Sequence, residues 1–309
     1  MKALRTESLQ PLLIDVFNFK RFAGRYYLIS VVCRVDSHGQ ACKVLTIADA
    51  STEMKVFCCN EELMQIDLRP DSLIHVEAAL KQNMGSAYYL CKNIQPLGKN
   101  QTQGLDLASL PREKCPKPEV FDAFLVFVGR IQNPLLKCFL TNVLLQEDIG
   151  IQYLQCPASI SHHHAYPGGL IEHSVEMVWD ISGVQELSPL EKDIAVVSSL
   201  LHDIGKTKTY TPDGTLTAIG RLVDHQQLTL EICANALKDL ELSSPHISNM
   251  LRHAWTCYSP KARFGFHPKT RVARHLQKVD GYSARAADRE HFLPVFPDMD
   301  KRIRTLSFV

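Results

Sequence analysis

The spacing of apolar residues changes once along the 309-residue chain, and this change most constrains its fold. Up to about residue 97, short runs of β-branched and aromatic residues alternate with turn residues, which is typical of β-strands. From residue 119 onward, apolar residues recur at three- and four-residue spacing, which is typical of amphipathic helices. The sequence therefore predicts a multidomain chain with two unlike halves.

The first half carries five predicted strands, with one helical insert near residues 61–64. Five short strands in about 85 residues fit a small β-barrel of the OB type, although other small barrels and sandwiches share that count. The predicted strands cover residues 26–35, 43–49, 53–58, 73–80 and 87–94.

The domain boundaries follow from composition. We expect an OB-fold nucleic-acid-binding domain over residues 1–97, a polar and proline-rich linker over 98–118, an all-α helical bundle over 119–295 and a tail over 296–309. The tail either is ordered or mediates self-association, so a homo-oligomer stays an open alternative. The predicted helices cover residues 121–131, 134–148, 170–182, 190–206, 222–240, 245–255 and 269–287.

Charge and composition exclude several classes of protein. The net charge is +1, so any nucleic-acid binding must come from a local basic patch. No apolar run reaches about 18 residues, and the segment before Asp15 is too short in apolar residues for a secretory signal. The ten cysteines form no CxxC pair. We therefore expect a cytoplasmic protein with free thiols and no membrane partner.

Histidines and aspartates in the second half fall on the inner faces of separate predicted helices. Burying them uncompensated would cost several kcal/mol per unpaired charge, which a divalent cation offsets. Six nitrogen and oxygen ligands are too many for one ion with an open position, so two ions bridged by Asp203 are predicted. Such a set suits manganese, with cobalt, iron, zinc or magnesium as alternatives. The predicted ligands are His173, His202, Asp203, His225, His253 and Asp280.

Read in chain order, these residues resemble the H…HD…H…H…D signature of the HD-domain metal-dependent phosphohydrolases. The flanking segments 163–174 and 201–206 are more specific. With the N-terminal barrel, they resemble the YhaM-type 3′–5′ exoribonucleases over nearly the full chain. The resemblance implies phosphodiester hydrolysis from a 3′ end, often with manganese or cobalt. Related segments also occur in HD domains linked to conjugation relaxases. The chain departs from the exoribonuclease pattern beside His225 and beside His253.

Four residues are predicted to take part directly in the chemistry. Water activated by the two ions that Asp203 bridges would attack phosphorus. Lys206, four residues after His202, would hold a non-bridging phosphate oxygen, or would be a solvated cation at a helix end. His163 and His164 would bind phosphate or protonate the leaving oxygen, with an indirect or surface role as the alternative.

Two basic and aromatic regions are predicted to contact a single strand of RNA or DNA. In the barrel, rings and cations alternate along the chain, and we expect some of the rings to be core and about two to be exposed for stacking. In the last predicted helix, three cations share one face beside Asp280, where they would guide a polyanion or form an ordinary solvated face. The predicted contacts are Phe19, Tyr26, Tyr27, Lys55 and Phe57 in the barrel, and Arg271, Arg274 and Lys278 in the helix.

Three functions compete. The first is a metal-dependent 3′–5′ exonuclease that hydrolyses single-stranded RNA, with DNA as an open second substrate. The second is an HD phosphohydrolase that acts on a nucleotide or cyclic dinucleotide. The third is a nucleic-acid-binding HD protein, conjugation-associated or with an inactive site. The barrel favours the first over the second, and the intact ligand set argues against the third.

Overall fold

The computed structural model describes residues 10–35, 39–83, 86–98, 104–258 and 265–283. These residues divide into two compact units, the first ending at Glu113 and the second beginning at Lys114. The predicted tail and the last residues predicted for the final helix lie outside the described residues.

The first unit is a closed barrel of five strands, as the sequence predicts. Strand β1 pairs with both β2 and β4, and the parallel pairing of β3 with β5 closes the barrel in the order β1-β2-β3-β5-β4. This is the OB arrangement. The elements are α1 (Leu13–Val16), β1 (Arg21–Val35), β2 (Ala41–Ala48), β3 (Glu53–Cys58), α2 (Glu61–Met64), β4 (Ser72–Asn83) and β5 (Ser86–Pro96).

The barrel core comes from alternate residues of the strands. Leu45 and Ile47 of β2 are fully buried, as are Ile74 and Val76 of β4, because successive side chains of a strand point to opposite faces. Tyr26 of β1 is also fully buried, and its hydroxyl donates a hydrogen bond to the Pro11 carbonyl at 2.7 Å. The interior is therefore filled with side chains.

Part of the segment predicted as a linker folds onto the barrel. Two 3₁₀ turns, Leu107–Ser109 and Arg112–Lys114, lie in it. The Ala50 amide donates to the Ala108 carbonyl at 2.8 Å, and the Arg112 amide donates to the Asp49 carbonyl at 3.2 Å. These bonds attach the segment to the turn that follows β2.

The second unit is helical. Its described elements are α3 (Pro118–Arg130), α4 (Pro134–Leu144), α5 (Ile149–Gln155), α6 (Gly169–Ser182), α7 (Pro189–Leu201), α8 (Lys206–Thr209), a 3₁₀ turn (Ile219–Arg221), α9 (His225–Ser243), α10 (Pro245–Thr256) and α11 (Arg271–Ser283). Helices α6, α7 and α11 pack against one another and position the site.

Helix α7 begins where the sequence predicts and ends earlier. The Ser188 side chain accepts from the Glu191 amide and Glu191 reaches back to the Ser188 amide, which forms a capping box ahead of Pro189. The predicted helix over 190–206 breaks after Leu201. A Cβ at Gly205 would lie 1.9 Å from the His225 carbonyl oxygen, so a glycine is needed where the chain passes the start of α9.

The described part of the chain contains no helix that is both long and apolar enough to cross a membrane. All ten cysteines are free thiols, as the sequence predicts.

Candidate metal centre

Four helices of the second unit bring five of the six predicted ligands together. His173 lies within α6, and His202 and Asp203 follow directly after the last residue of α7. His225 is the first residue of α9, and Asp280 lies on α11. Residues far apart in the chain therefore meet because α6, α7 and α11 pack together.

The imidazoles of His173 and His202 face each other, and a carboxylate lies against both. The two Nε2 atoms are 3.2 Å apart. Asp280 Oδ1 lies 3.5 Å from His173 Nε2 and 3.8 Å from His202 Nε2. His173 is 8% exposed and His202 is half-buried, whereas Asp280 is exposed, so three donor atoms from three elements converge at a point that solvent reaches from the side of Asp280.

Asp203 faces two different histidines with its two carboxylate oxygens. Oδ2 lies 3.3 Å from His202 Nε2, and Oδ1 lies 3.2 Å from His225 Nε2. The ammonium group of Lys206 lies 2.5 Å from Oδ2. Burial opposes ionisation of Asp203, but the neighbouring His202 and Lys206 cations outweigh it and hold its pKa well below the usual range.

Hydrogen bonding selects the nitrogen that His202 presents to the site. Its Nδ1 lies 2.8 Å from the Ser199 carbonyl oxygen, and a carbonyl can only accept, so Nδ1 carries the proton. In the neutral form of His202, the Nε2 lone pair then points at His173 and Asp280. Burial lowers the pKa of His173, which favours its neutral form, whereas the nearby Asp203 and Asp280 carboxylates outweigh burial and raise the pKa of His202. Neutral imidazoles and ionised carboxylates are the forms that a metal ion binds.

These residues fit a divalent cation. An ion about 2.1 Å from each of its nitrogen and oxygen ligands separates neighbouring ligand atoms by roughly 3.0–3.4 Å. The distances of 3.2, 3.5 and 3.8 Å among His173, His202 and Asp280 are close to that range. Two imidazole nitrogens 3.2 Å apart would otherwise share at most one proton. The donor set thus supports the expected divalent metal.

His253, the sixth predicted ligand, makes a different contact. Its Nε2 accepts a hydrogen bond from the Lys269 amide at 2.9 Å, and it is not in the group formed by His173, His202 and Asp280. Burial, with a contribution from the Lys269 cation, lowers its pKa. His253 as a metal ligand stays a prediction, because its Nε2 is occupied by a backbone donor in this structure.

The two predicted catalytic histidines lie in the loop before α6. His163 is half-buried. The His164 ring packs on that of His173, with centroids 5.7 Å apart, and both of its nitrogens are engaged. Nδ1 lies 2.9 Å from the Tyr166 hydroxyl, and Nε2 lies 3.0 Å from Glu176 Oε2. This arrangement favours the indirect role for His164 over proton donation to a substrate.

A second cluster of ionisable residues lies behind His173 and was missed in the sequence. The Tyr166 hydroxyl donates to Glu172 Oε2 at 2.7 Å, and Lys117 Nζ lies 2.8 and 2.7 Å from the two Glu172 oxygens. His164, Glu172 and Glu176 together could hold an ion. Lys117 already supplies a cation to the fully buried Glu172, so the cluster is accounted for by ion pairs and hydrogen bonds. The adjacency of Glu172 to His173 was the available signal.

The structure sorts the predicted nucleic-acid contacts in the barrel. Tyr26 and Tyr27 are 0% and 3% exposed, so the prediction that they stack on bases is wrong, because their rings belong to the core. Phe19 is exposed, Phe57 is half-buried against Tyr88, and Lys55 is exposed. In the helical unit, Arg271, Arg274 and Lys278 are exposed on α11, the helix that carries Asp280.

Two models of known protein families match parts of the helical unit. Residues 170–285 match the family model of the HD domain, and residues 150–187 match the TraI_2 model, whose description names a helicase. Together with the histidine and aspartate cluster of the helical unit, the HD match indicates a metal-dependent hydrolase.

Individual relatives of the chain carry a more specific name than the domain family. The protein named 3′–5′ exoribonuclease YhaM of Bacillus licheniformis is 24% identical over 257 residues, which are 81% of each chain. The protein of the same name in Bacillus subtilis is 23% identical, again over 81% of each chain. The protein of that name in Shouchella clausii is 27% identical over 69% of this chain and 67% of its own length. The resemblance predicted from the sequence is confirmed.

Proposed function

We propose that this protein is a metal-dependent 3′–5′ exonuclease that hydrolyses single-stranded RNA. The observation that carries the proposal is the convergence of His173, His202 and Asp280 beside Asp203, in a chain that also holds an OB barrel. The barrel supplies a reason for a polymeric substrate, since OB barrels hold single strands. The relatives, which are named 3′–5′ exoribonucleases, support degradation from the 3′ end.

The ligands divide between two metal positions. His173, His202, Asp203 and Asp280 would hold one divalent ion, and Asp203 with His225 would hold a second, manganese being the expected metal. Bound divalent ions activate water and neutralise charge that develops on the phosphate. Because Asp203 presents one oxygen to each side, it would fix the spacing of the two positions.

Lys206 contributes a cation at the same place. Its ammonium group is nearly buried against Asp203, so it neutralises that carboxylate and lies where a non-bridging phosphate oxygen would enter. His163, half-buried in the loop before α6, is the candidate for binding phosphate or protonating the leaving oxygen. His164 holds the His173 ring from behind. In the barrel, exposed Phe19 and Lys55 and half-buried Phe57 are the remaining candidates for strand contacts. In α11 the candidates are Arg271, Arg274 and Lys278.

The experiment is an end-labelled assay with RNA and DNA oligomers of the same sequence. Wild-type protein and Asp203→Asn would be incubated with manganese, magnesium or EDTA, and metal content would be measured by mass spectrometry. Asp239→Asn, an exposed acid on α9, is the matched control. With wild-type protein and Asp239→Asn, we expect manganese-dependent products that become progressively shorter from the 3′ end, with more product from RNA than from DNA. Asp203→Asn should give no such products.

Two outcomes would contradict the proposal. Intact oligomers with wild-type protein that contains metal would exclude an exonuclease and direct the search to nucleotides and cyclic dinucleotides. Equal cleavage by Asp203→Asn would show that the described cluster does not carry the reaction.

A further inference from the structure

A groove of about 420 Å³ opens in the helical unit, where α7, α10 and α11 begin. The side chains that line it on the inside are apolar: Ile194 is fully buried, Met250 is half-buried and Leu190 is 37% exposed. A volume of this size accommodates a small ligand such as a nucleoside. None of the predicted metal ligands lines this groove.

The exposed lining of this groove is basic. Lys269, Arg271 and Arg274 all contribute, and Glu191 is the acidic residue among the lining side chains. Glu191 pairs with Arg271 at 3.1 Å, which leaves an excess of positive charge. Among the residues that the structure describes, Lys269 and Arg274 form no ion pair with a carboxylate. Such a surface attracts a polyanion.

An exposed aromatic ring stands beside these cations. Phe266 is 72% exposed, and Lys269 Nζ lies 5.3 Å from the centre of its ring. Exposed rings beside basic side chains are the composition with which proteins hold single strands, because every base offers a flat face for stacking.

The groove and the metal centre lie along the same two helical segments. Arg274 and Asp280 lie on the same helix, and six residues correspond to about 9 Å of helix rise. His202, which directly follows α7, lies eight residues beyond Ile194, which corresponds to about 12 Å.

We infer that this groove is a subsite for single-stranded nucleic acid, which holds nucleotides on the 5′ side of the scissile phosphate. The inference rests on the proposed exonuclease activity for its direction. The basic side chains contact phosphates, Phe266 stacks on a base, and the apolar wall receives a second base. A strand long enough to reach the groove is then held more tightly than a dinucleotide.

The test compares Lys269→Gln/Arg274→Gln and Phe266→Ala with Lys238→Gln, which removes an exposed cation from α9. Steady-state kinetics would use a 12-nucleotide RNA and a dinucleotide of the same 3′ sequence. Binding of the 12-mer would be measured by fluorescence anisotropy in the Asp203→Asn background at several salt concentrations.

We expect each groove variant to lower the preference for the 12-mer over the dinucleotide, as the ratio of kcat/KM, by about tenfold. In the double variant, the plot of the logarithm of the 12-mer binding constant against the logarithm of the salt concentration should be less steep. Its slope should fall by about 0.7 for each phosphate that the missing cations would have neutralised. Lys238→Gln should behave as wild type in both respects.

Failure of the subsite and failure of the proposed function give different results. An unchanged substrate preference and salt slope in the groove variants, with RNA still degraded from its 3′ end, would overturn the subsite alone. Wild-type protein that binds the 12-mer through the groove without hydrolysing it would support the subsite and exclude the exonuclease.

Discussion

The ion pair between Lys117 and Glu172 gives a sharp test of how the metal centre is supported. Glu172 is fully buried next to His173, and Lys117 Nζ contacts both of its carboxylate oxygens, at 2.8 and 2.7 Å. Lys117→Met keeps the length of the side chain and removes the charge. The substitution therefore leaves a buried carboxylate without its ammonium partner.

The burial of the ion pair sets how much the free energy of unfolding should fall in Lys117→Met. Removing one partner of a buried ion pair costs about 3–5 kcal/mol. Lys117 is 30% exposed and the Tyr166 hydroxyl still donates to Glu172, so we expect the lower end, about 3 kcal/mol. Glu172→Gln leaves a cation that water can reach and should cost about 1–2 kcal/mol. In the double variant the cost should be smaller than the sum, because no unpaired charge remains buried.

The assay is urea unfolding followed by tryptophan fluorescence. The two tryptophans, Trp179 and Trp255, both lie in the helical unit, so the signal reports that unit. Manganese affinity would be measured on the same samples. It should fall about tenfold in Lys117→Met, because Glu172, Tyr166 and His164 support His173 from behind. Lys238→Met is the control for loss of an exposed lysine.

The reasoning would be refuted by a Lys117→Met variant that unfolds within about 0.5 kcal/mol of the Lys238→Met control. Additive effects of the two substitutions in the double variant would refute it as well, since the coupling arises only if the two charges interact.

Three other predictions concern pH, a glycine and a buried ring. Hydrogen bonding from the Ser188 amide lowers the pKa of Glu191, so its stabilisation is present above the usual glutamate range and is lost as the pH falls through the lowered pKa. Glu191→Gln should thus destabilise the helical unit by about 0.5–1 kcal/mol at pH 7, and the difference should shrink as the pH falls below the usual glutamate range in urea titrations. Gly205→Ala should lower both the Tm and the manganese content, because its Cβ would meet the His225 carbonyl oxygen at 1.9 Å. Tyr26→Phe should destabilise the barrel by about 1 kcal/mol in thermal unfolding through the loss of the hydroxyl hydrogen bond, without changing RNA affinity, since the ring is buried.

Local periodicity was enough to predict the two unlike halves, because strand and helix repeats depend on neighbouring residues. The same reasoning predicted one helix over 134–148, where the chain forms α4, a turn with Asp148 at a φ of 65°, and then α5. It could not predict Lys117 as the partner of Glu172. These residues are 55 positions apart, and no local repeat joins them. Long-range pairs of this kind depend on packing.

The ligand set shows the same limit at the level of single atoms. Chain order predicted histidine and aspartate ligands on separate helices, but a histidine has two nitrogens, and its surroundings decide which one is available. His202 donates from Nδ1 to a carbonyl, so its Nε2 faces the site, whereas the Nε2 of His253 receives an amide proton from Lys269. Sequence alone treats the two residues alike. If His253 binds metal, either that amide bond must break or Nδ1 must be the ligand. Movement of the segment that leads into α11 would then accompany metal binding by His253.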